Sequence, residues 1–317
     1  MNDKLVMGID TSNYTTSVAI MTLSGELLAN IKEPLPVKAG ERGLRQSDAV
    51  FSHIKNLPSV MQRAREIIGD REVIAVGASE RPRNIEGSYM PCFLCGASAR
   101  DSIIAATGAK SYGFSHQCGH LMAVLFGAGR TDLLTKSFVG FHISGGTTEM
   151  LSVKGNGTAF NADIIGGTDD LNAGQVIDRV GVYMGLGFPC GREMEGLALS
   201  FNGKIPKRKA SVKDYSFNLS GIENIAKKLY DDTKDKALTS AFVFEYVTNA
   251  LISVCNNYET ENGKTTFVFA GGVMSNSIIK SKIIEKFDAV FAHPSLSADN
   301  AVGIAALTVS AIVNENQ

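Results

Sequence analysis

Two imidazoles four residues apart, His116 and His120, open a segment with helical periodicity. On a helix such residues stand one above the other with β-carbons roughly 5–6 Å apart, so both rings can reach one cation at about 2.0–2.1 Å. His142 follows, which places three of the five histidines in one short span. The bland alternative is a pair of hydrogen-bonded structural histidines, and spacing alone does not choose between them. Asp299, in Ser297-Ala298-Asp299-Asn300, reads either as the N-cap of the last helix or as the carboxylate of a His, His, carboxylate set of the kind that holds iron or catalytic zinc. Three small-residue turns each follow a strand-like run: Thr11-Ser12, Ser144-Gly145-Gly146 and Gly271-Gly272. Main-chain N–H groups in such turns cradle phosphate. With Asp178 as a ribose acceptor, they point to a nucleotide cleft between two domains.

Other reactive residue types carry weaker patterns. Cys92-x-x-Cys95 has no second such pair behind it, which favours buried helical thiols over a structural zinc site. Lys207, Arg208 and Lys209 are consecutive and read either as a solvated loop or as a contact for nucleic-acid phosphate.

The whole chain sets the bounds on these readings. Its 317 residues allow two domains with real cores, and 44% hydrophobic with 20% charged residues is globular composition. A net charge of −1 argues against a surface built throughout for nucleic acid or anionic lipid. Five irregularly spaced cysteines suggest free thiols in a reducing compartment. No signal-like N-terminal segment and no apolar run of about 18 residues is evident, so a cytoplasmic protein without membrane contact is expected.

The elements that must position the candidate residues follow from hydrophobic pattern and turn chemistry. Runs at 5–10 and 16–20 predict a hairpin, with a third strand at 26–32. A helix capped by Ser47-Asp48 is expected to run on despite Pro58, followed by a strand at 73–78, the Arg81-Pro82-Arg83-Asn84 loop, a helix over 88–107 and a strand at 110–114. The His116 helix comes next. A second hairpin, 137–143 and 149–153, echoes the first about 135 residues later and suggests two related halves, 1–135 and 136–317. Within the second half, helices are expected after 168–178, from 192, 221 and 238. A strand at 265–270 then meets the Gly271-Gly272 turn and a helix near Ser275-Asn276, and a strand at 288–292 precedes the final helix. Alternation of helix and strand makes the class α/β.

The order of these motifs is that of a known family. Turn, His-x-x-x-His, Ser-Gly-Gly-Thr, Asp-Asp-x-x-Ala-Gly, Phe-Pro-x-Gly, Gly-Gly-Val-x-x-Asn and Ala-Asp-Asn-Ala together resemble the TsaD family of tRNA threonylcarbamoyl transferases, over nearly the whole chain. The resemblance implies an actin-like ATPase (ASKHA) fold of two ribonuclease-H-like domains around a nucleotide and metal cleft, with the last helix packing back on the first domain. It implies a metal-assisted reaction in which threonylcarbamoyl-adenylate gives its threonylcarbamoyl group to the exocyclic amine of a tRNA adenosine beside the anticodon, with no nucleophilic side chain assigned. By position, His116, His120 and Asp299 match metal ligands, and His142 falls where archaeal relatives place a metal-binding tyrosine. The implied cofactors are one divalent metal, iron or zinc, and an adenine nucleotide, either that adenylate or ATP. Ser144, Gly145 and Gly146 match the phosphate turn, Asp178 and Gly191 the ribose and adenosine contacts, and Asn276 the asparagine after Gly271-Gly272; Thr11 lies in the first turn. Implied partners are tRNA, other tRNA-modification proteins that supply the adenylate, and a second copy of the chain.

The chain also departs from the family's pattern. Where members read Glu-Thr-Ser-Cys-Asp-Glu-Thr, this sequence has Asp10-Thr11-Ser12-Asn13-Tyr14-Thr15-Thr16, so Tyr14 replaces an acid thought to assist the chemistry. Gln175 stands for a glutamate, Glu223 for a basic residue, and Arg81-Pro82-Arg83-Asn84 for a Gly-Pro-Gly-Leu turn. Two other readings follow: a carbamoyl transferase with a different acceptor, and a non-catalytic nucleotide-binding subunit of a tRNA-modification complex.

Overall fold

The computed structural model of the chain describes residues 4–12, 14–36, 44–296 and 300–315. It divides into two compact units, residues 1–137 with 154–162 and 298–317, and residues 138–153 with 163–297. The chain thus leaves the first unit near residue 137 and returns to it twice.

In the first unit, β1 (Lys4–Asp10), β2 (Thr15–Thr22) and β3 (Leu27–Pro34) form an antiparallel meander. Helix α1 (Gln46–Ile68) leads to β4 (Glu72–Arg81), and α2 (Phe93–Thr107) leads to β5 (Lys110–Ser115). Both later strands join in parallel, giving the order β3-β2-β1-β4-β5. After Lys4, every residue of β1 is buried, as a central strand covered on both faces requires. Helix α3 (His116–Gly127) follows β5 without a loop. Two boundaries differ from those the sequence predicts. Arg45 is the N-cap of α1, so Ser47 and Asp48 fall in its first turn, where Asp48 suits the positive end of the helix dipole. Helix α2 begins at Phe93 instead of Ser88, because Pro91 steers the residue before it away from helical geometry.

The second unit is built on a seven-stranded sheet. Strands β6 (Ser137–Ile143), β7 (Thr148–Gly155) and β8 (Phe160–Thr168) are followed by α4 (Ala173–Tyr183) and α5 (Gly191–Ser200). Short strands β9 (Ser211–Lys213) and β10 (Ser216–Asn218) precede α6 (Ser220–Thr233) and α7 (Lys236–Asn262), and then β11 (Phe267–Ala270), α8 (Ser277–Ile284) and β12 (Ala289–Phe291) complete the unit. The sheet order is β12-β11-β6-β7-β8-β10-β9. Its first five strands repeat the plan of the first sheet: three consecutive strands, then two later ones added in parallel beside the first of the three. Phe141, Phe269 and Phe291 stand in register on β6, β11 and β12, with successive rings stacked at 4.7 Å. Helix α7 is long and apolar enough to cross a membrane, but most of that stretch is buried within the unit, as in a core helix.

The last helix, α9 (Val302–Glu315), belongs to the first unit and packs on β1, β2, β4 and α3. Glycine makes this approach achievable. A β-carbon on Gly303 would lie 1.8 Å from the carbonyl oxygen of Gly119, and one on Gly8 would lie 2.5 Å from the amide nitrogen of Ala305.

Candidate active site

The histidine pair is held at the N-terminus of α3. Ser115 caps this helix, its Oγ accepting the Cys118 N–H at 3.2 Å. The His116 and His120 rings meet edge to face with centroids 4.2 Å apart, the spacing of residues one turn apart on one face. Both rings are largely buried, His116 12% exposed by side chain and His120 9% by residue. Nδ1 of His116 lies 3.1 Å from Oδ2 of Asp10, the last residue of β1.

Asp10 is 1% exposed and gathers donors from β4 and from the turn that follows β1. Its Oδ1 accepts the Ser12 N–H at 3.1 Å and the Ser79 hydroxyl from β4, and its Oδ2 accepts the Ser12 hydroxyl at 3.0 Å. Thr11 turns the other way. Its hydroxyl donates to the Cys92 carbonyl and accepts the Gly96 N–H, both at 2.9 Å, and so ties the β1 turn to the start of α2. The Arg81-to-Asn84 loop rests on the first turn of α3: Pro82 O accepts the Gln117 N–H at 3.0 Å, and the Asn84 amide donates to Cys118 Sγ at 3.2 Å and to Phe160 O at 2.9 Å. Burial pushes the Cys118 thiol up.

Sequence reasoning found the two histidines and missed the carboxylate and hydroxyls beneath them. The available signal was an acid closing an apolar strand immediately before Thr-Ser, beside a serine near the end of the parallel neighbour strand. The two cysteines of Cys92-x-x-Cys95 are buried, Cys95 inside α2 and Cys92 at its N-cap, as expected of helical thiols.

His142 lies on β6 of the second unit, and Asp299 lies outside the described residues. Asn300 is described, and its Oδ1 accepts the Val302 N–H at the start of α9. Among the described residues there is no group of three or more His, Cys, Asp or Glu side chains that could hold a metal ion. The chemistry of His116 and His120 nevertheless fits part of a metal shell: two imidazoles on one helical face, one of them backed by a carboxylate.

The second unit gathers most of the nucleotide candidates around two turns. Between β6 and β7, Ser144 Oγ accepts the N–H groups of Gly146 and Thr147 at 3.2 and 3.1 Å, and Ser144 O accepts the Gly174 N–H at 3.2 Å from the start of α4. A β-carbon on Gly174 would lie 2.7 Å from Gly145 Cα, so this helix start is pressed against the turn. After β11, Gly271 has φ +98°, and a β-carbon there would strike Ile143 O at 2.2 Å. Gly272 begins a short 3-10 turn, and Asn276 then caps α8, accepting the Ile279 N–H at 3.0 Å. Asp178 Oδ1 accepts the Cys190 N–H at 2.8 Å, directly before Gly191 opens α5. Burial raises the Asp178 carboxyl, with that hydrogen bond opposing the rise.

Two departures acquire a structural role. Gln175 Oε1 accepts the Asn172 N–H at 3.2 Å, doing at the start of α4 what a glutamate does in a capping box. Glu223 pairs with Arg179 at 3.3 Å and with Lys227; burial opposes its ionisation, but these two cations outweigh that and hold its carboxyl below the usual carboxylate range.

A five-strand plan used twice, with glycine turns after β6 and β11 in its second copy, defines an actin-like ATPase fold. Full-length HypF in a phosphate- and nucleotide-bound form is similar at TM-score 0.60 and 12% identity, covering 100% of this chain and 47% of that one. A ROK family glucokinase from Streptomyces griseus gives 0.52 and 13%, covering 96% and 99%. Within that fold, residues 28–306 match the family model of tRNA N6-adenosine threonylcarbamoyltransferase, and the chain belongs to this enzyme family. A relative of that name from Thermotoga neapolitana is 26% identical over 95% of this chain and 92% of its own length. Another from Streptococcus suis is 27% identical over 100% and 95%.

Proposed function

We propose that the chain transfers the threonylcarbamoyl group of threonylcarbamoyl-adenylate to the exocyclic amine of a tRNA adenosine beside the anticodon. The observation that carries this reading is end-to-end likeness to relatives named for threonylcarbamoyl transfer to tRNA adenosine. The transfer balances without an oxidant: the amine nitrogen forms a bond to the carbamoyl carbon, the bond from that carbon to the phosphate oxygen breaks, AMP leaves and the amine gives up a proton. His116, His120, His142 and Asp299 are the residues that would hold one divalent metal, iron or zinc, which when bound would supply Lewis-acid polarisation of the donor's oxygens. The chain's own groups bind and orient. Asp10 holds the His116 ring, and the Ser144-Gly145-Gly146 and Gly271-Gly272 turns offer main-chain N–H groups to the adenylate phosphate. Asp178 and Gly191 are the proposed ribose and adenosine contacts, with Thr11 and Asn276 shaping the turns. The adenylate comes from partner proteins of the same modification pathway.

The test is mass spectrometry of tRNA nucleosides after incubation of metal-loaded protein with threonylcarbamoyl-adenylate and unmodified tRNA, beside a His116→Ala control. The expected result is modified adenosine that depends on His116. Tyr14 favours a second reading. It is 44% exposed at a position where relatives carry an acid, and a carbamoyl transferase with another acceptor accommodates that change. AMP release without modified adenosine supports this second reading over the first.

A further inference from the structure

We infer that Asp10 is the positioning residue that fixes the tautomer of His116, holding the ring proton on Nδ1 so that Nε2 is the nitrogen offered to a metal. This rests on the metal reading above for its purpose, though not for its geometry.

A neutral imidazole carries one N–H and one lone pair, and the partner of one nitrogen decides the role of the other. Oδ2 of Asp10 is 3.1 Å from Nδ1, and a carboxylate accepts but cannot donate. The ring proton therefore belongs on Nδ1. The carboxylate is itself locked. It is 1% exposed, and both of its oxygens are held: Oδ1 by the Ser12 N–H and the Ser79 hydroxyl, Oδ2 by the Ser12 hydroxyl. These donors come from β4 and from the turn after β1, so the acid cannot swing away from His116 without breaking contacts in both. Ser115, capping α3, fixes the backbone that carries the ring.

The same network predicts what an amide does here. In Asp10→Asn one oxygen becomes an NH2 group. It cannot sit at the Oδ1 position, because the Ser12 backbone N–H points there and a main-chain donor cannot become an acceptor. It must take the Oδ2 position, where the Ser12 hydroxyl can rotate to accept. There it faces Nδ1 as a donor and drives the ring proton to Nε2, the nitrogen the metal needs.

Long-range 1H–15N spectra of histidine-labelled, metal-free protein, at a pH where the ring is neutral, read this directly. His116 is assigned by its loss in His116→Gln. The expected result is an Nδ1–H ring in the wild type and an Nε2–H ring in Asp10→Asn, with zinc affinity lowered about 10–100-fold in the variant. A wild-type ring protonated on Nε2 overturns the inference and requires no variant to fold. So does an unchanged tautomer in Asp10→Asn, or zinc affinity within about twofold of wild type. A wild type that keeps Nδ1–H yet binds no zinc removes the metal from the proposed function and leaves the assignment of Asp10 standing.

Discussion

Asp170 shows how a motif residue can act on folding. Its Oδ1 accepts the N–H groups of Leu219 and Leu171 at 2.8 and 2.6 Å, and its Oδ2 accepts the Ser220 N–H and hydroxyl at 3.0 and 2.6 Å. Leu219 and Ser220 open α6, so an acid 50 residues earlier supplies the cap which that helix lacks from its own sequence. Burial alone would raise this carboxyl, but the hydrogen bonds from Ser220, Leu219 and Leu171 together hold it at about 2. Against an unfolded value of about 3.9, a depressed carboxyl stabilises the fold fully above that value and loses the effect as pH falls through the folded one. Asp170→Asn should therefore lower stability by about 1 kcal/mol at neutral pH, solvent access keeping the loss modest. Urea titrations of both proteins should show the difference shrinking as pH falls from about 4 towards 2. A difference independent of pH over that window would mean that shape, and not charge, holds the cap.

At the scale of elements, α3 carries the histidines and α9 sets its seat. The backbones touch where Gly303 meets Gly119, a β-carbon on Gly303 falling 1.8 Å from a carbonyl oxygen that has no rotamer with which to yield. Gly303→Ala should cost at least about 2–3 kcal/mol in chemical denaturation, the upper range of overpacking. Gly196→Ala is the control of opposite sign. Nothing lies within 4 Å of its β-carbon inside α5, so alanine should stabilise by about 0.5–1 kcal/mol through helix propensity. An equal effect of the two would dismiss the close approach. Such contacts set the limit of what sequence reveals. Apolar runs disclosed β1, β2, β4, β6 and β11, and the i, i+4 spacing disclosed the His116–His120 pair, because each signal is local. Strand β8 escaped notice, since Gly166 and Gly167 interrupt it and Ile164 is exposed; β9 and β10 span three residues each. The Asp10–Ser79–His116 cluster was hidden for another reason: its members are joined by strand register and by a helix start, neither of which local periodicity encodes.

The whole molecule is nearly neutral, at −1, so any long-range attraction for a polyanion such as tRNA must come from a local concentration of charge. Lys207, Arg208 and Lys209 supply one. All three are exposed, and among the described residues none makes an ion pair. With Gly203, Glu245 and Asn249 they line a recess of about 460 Å³ in the second unit, and Lys282 partly neutralises Glu245, the acid within it. Lysine and arginine that pair with protein carboxylates have little left for phosphate, whereas these three are available for counterion exchange on a nucleic-acid backbone. Replacing all three with alanine should weaken tRNA binding and make the slope of log K against log salt shallower by about 2–3, since each phosphate contact contributes roughly 0.7–0.9. Filter binding across a salt series reads both quantities. A wild type that binds tRNA with the same slope as the triple variant would return this stretch to a solvated loop. A wild type with no affinity for tRNA at all would instead count against the polynucleotide acceptor and favour the carbamoyl transfer that Tyr14 accommodates.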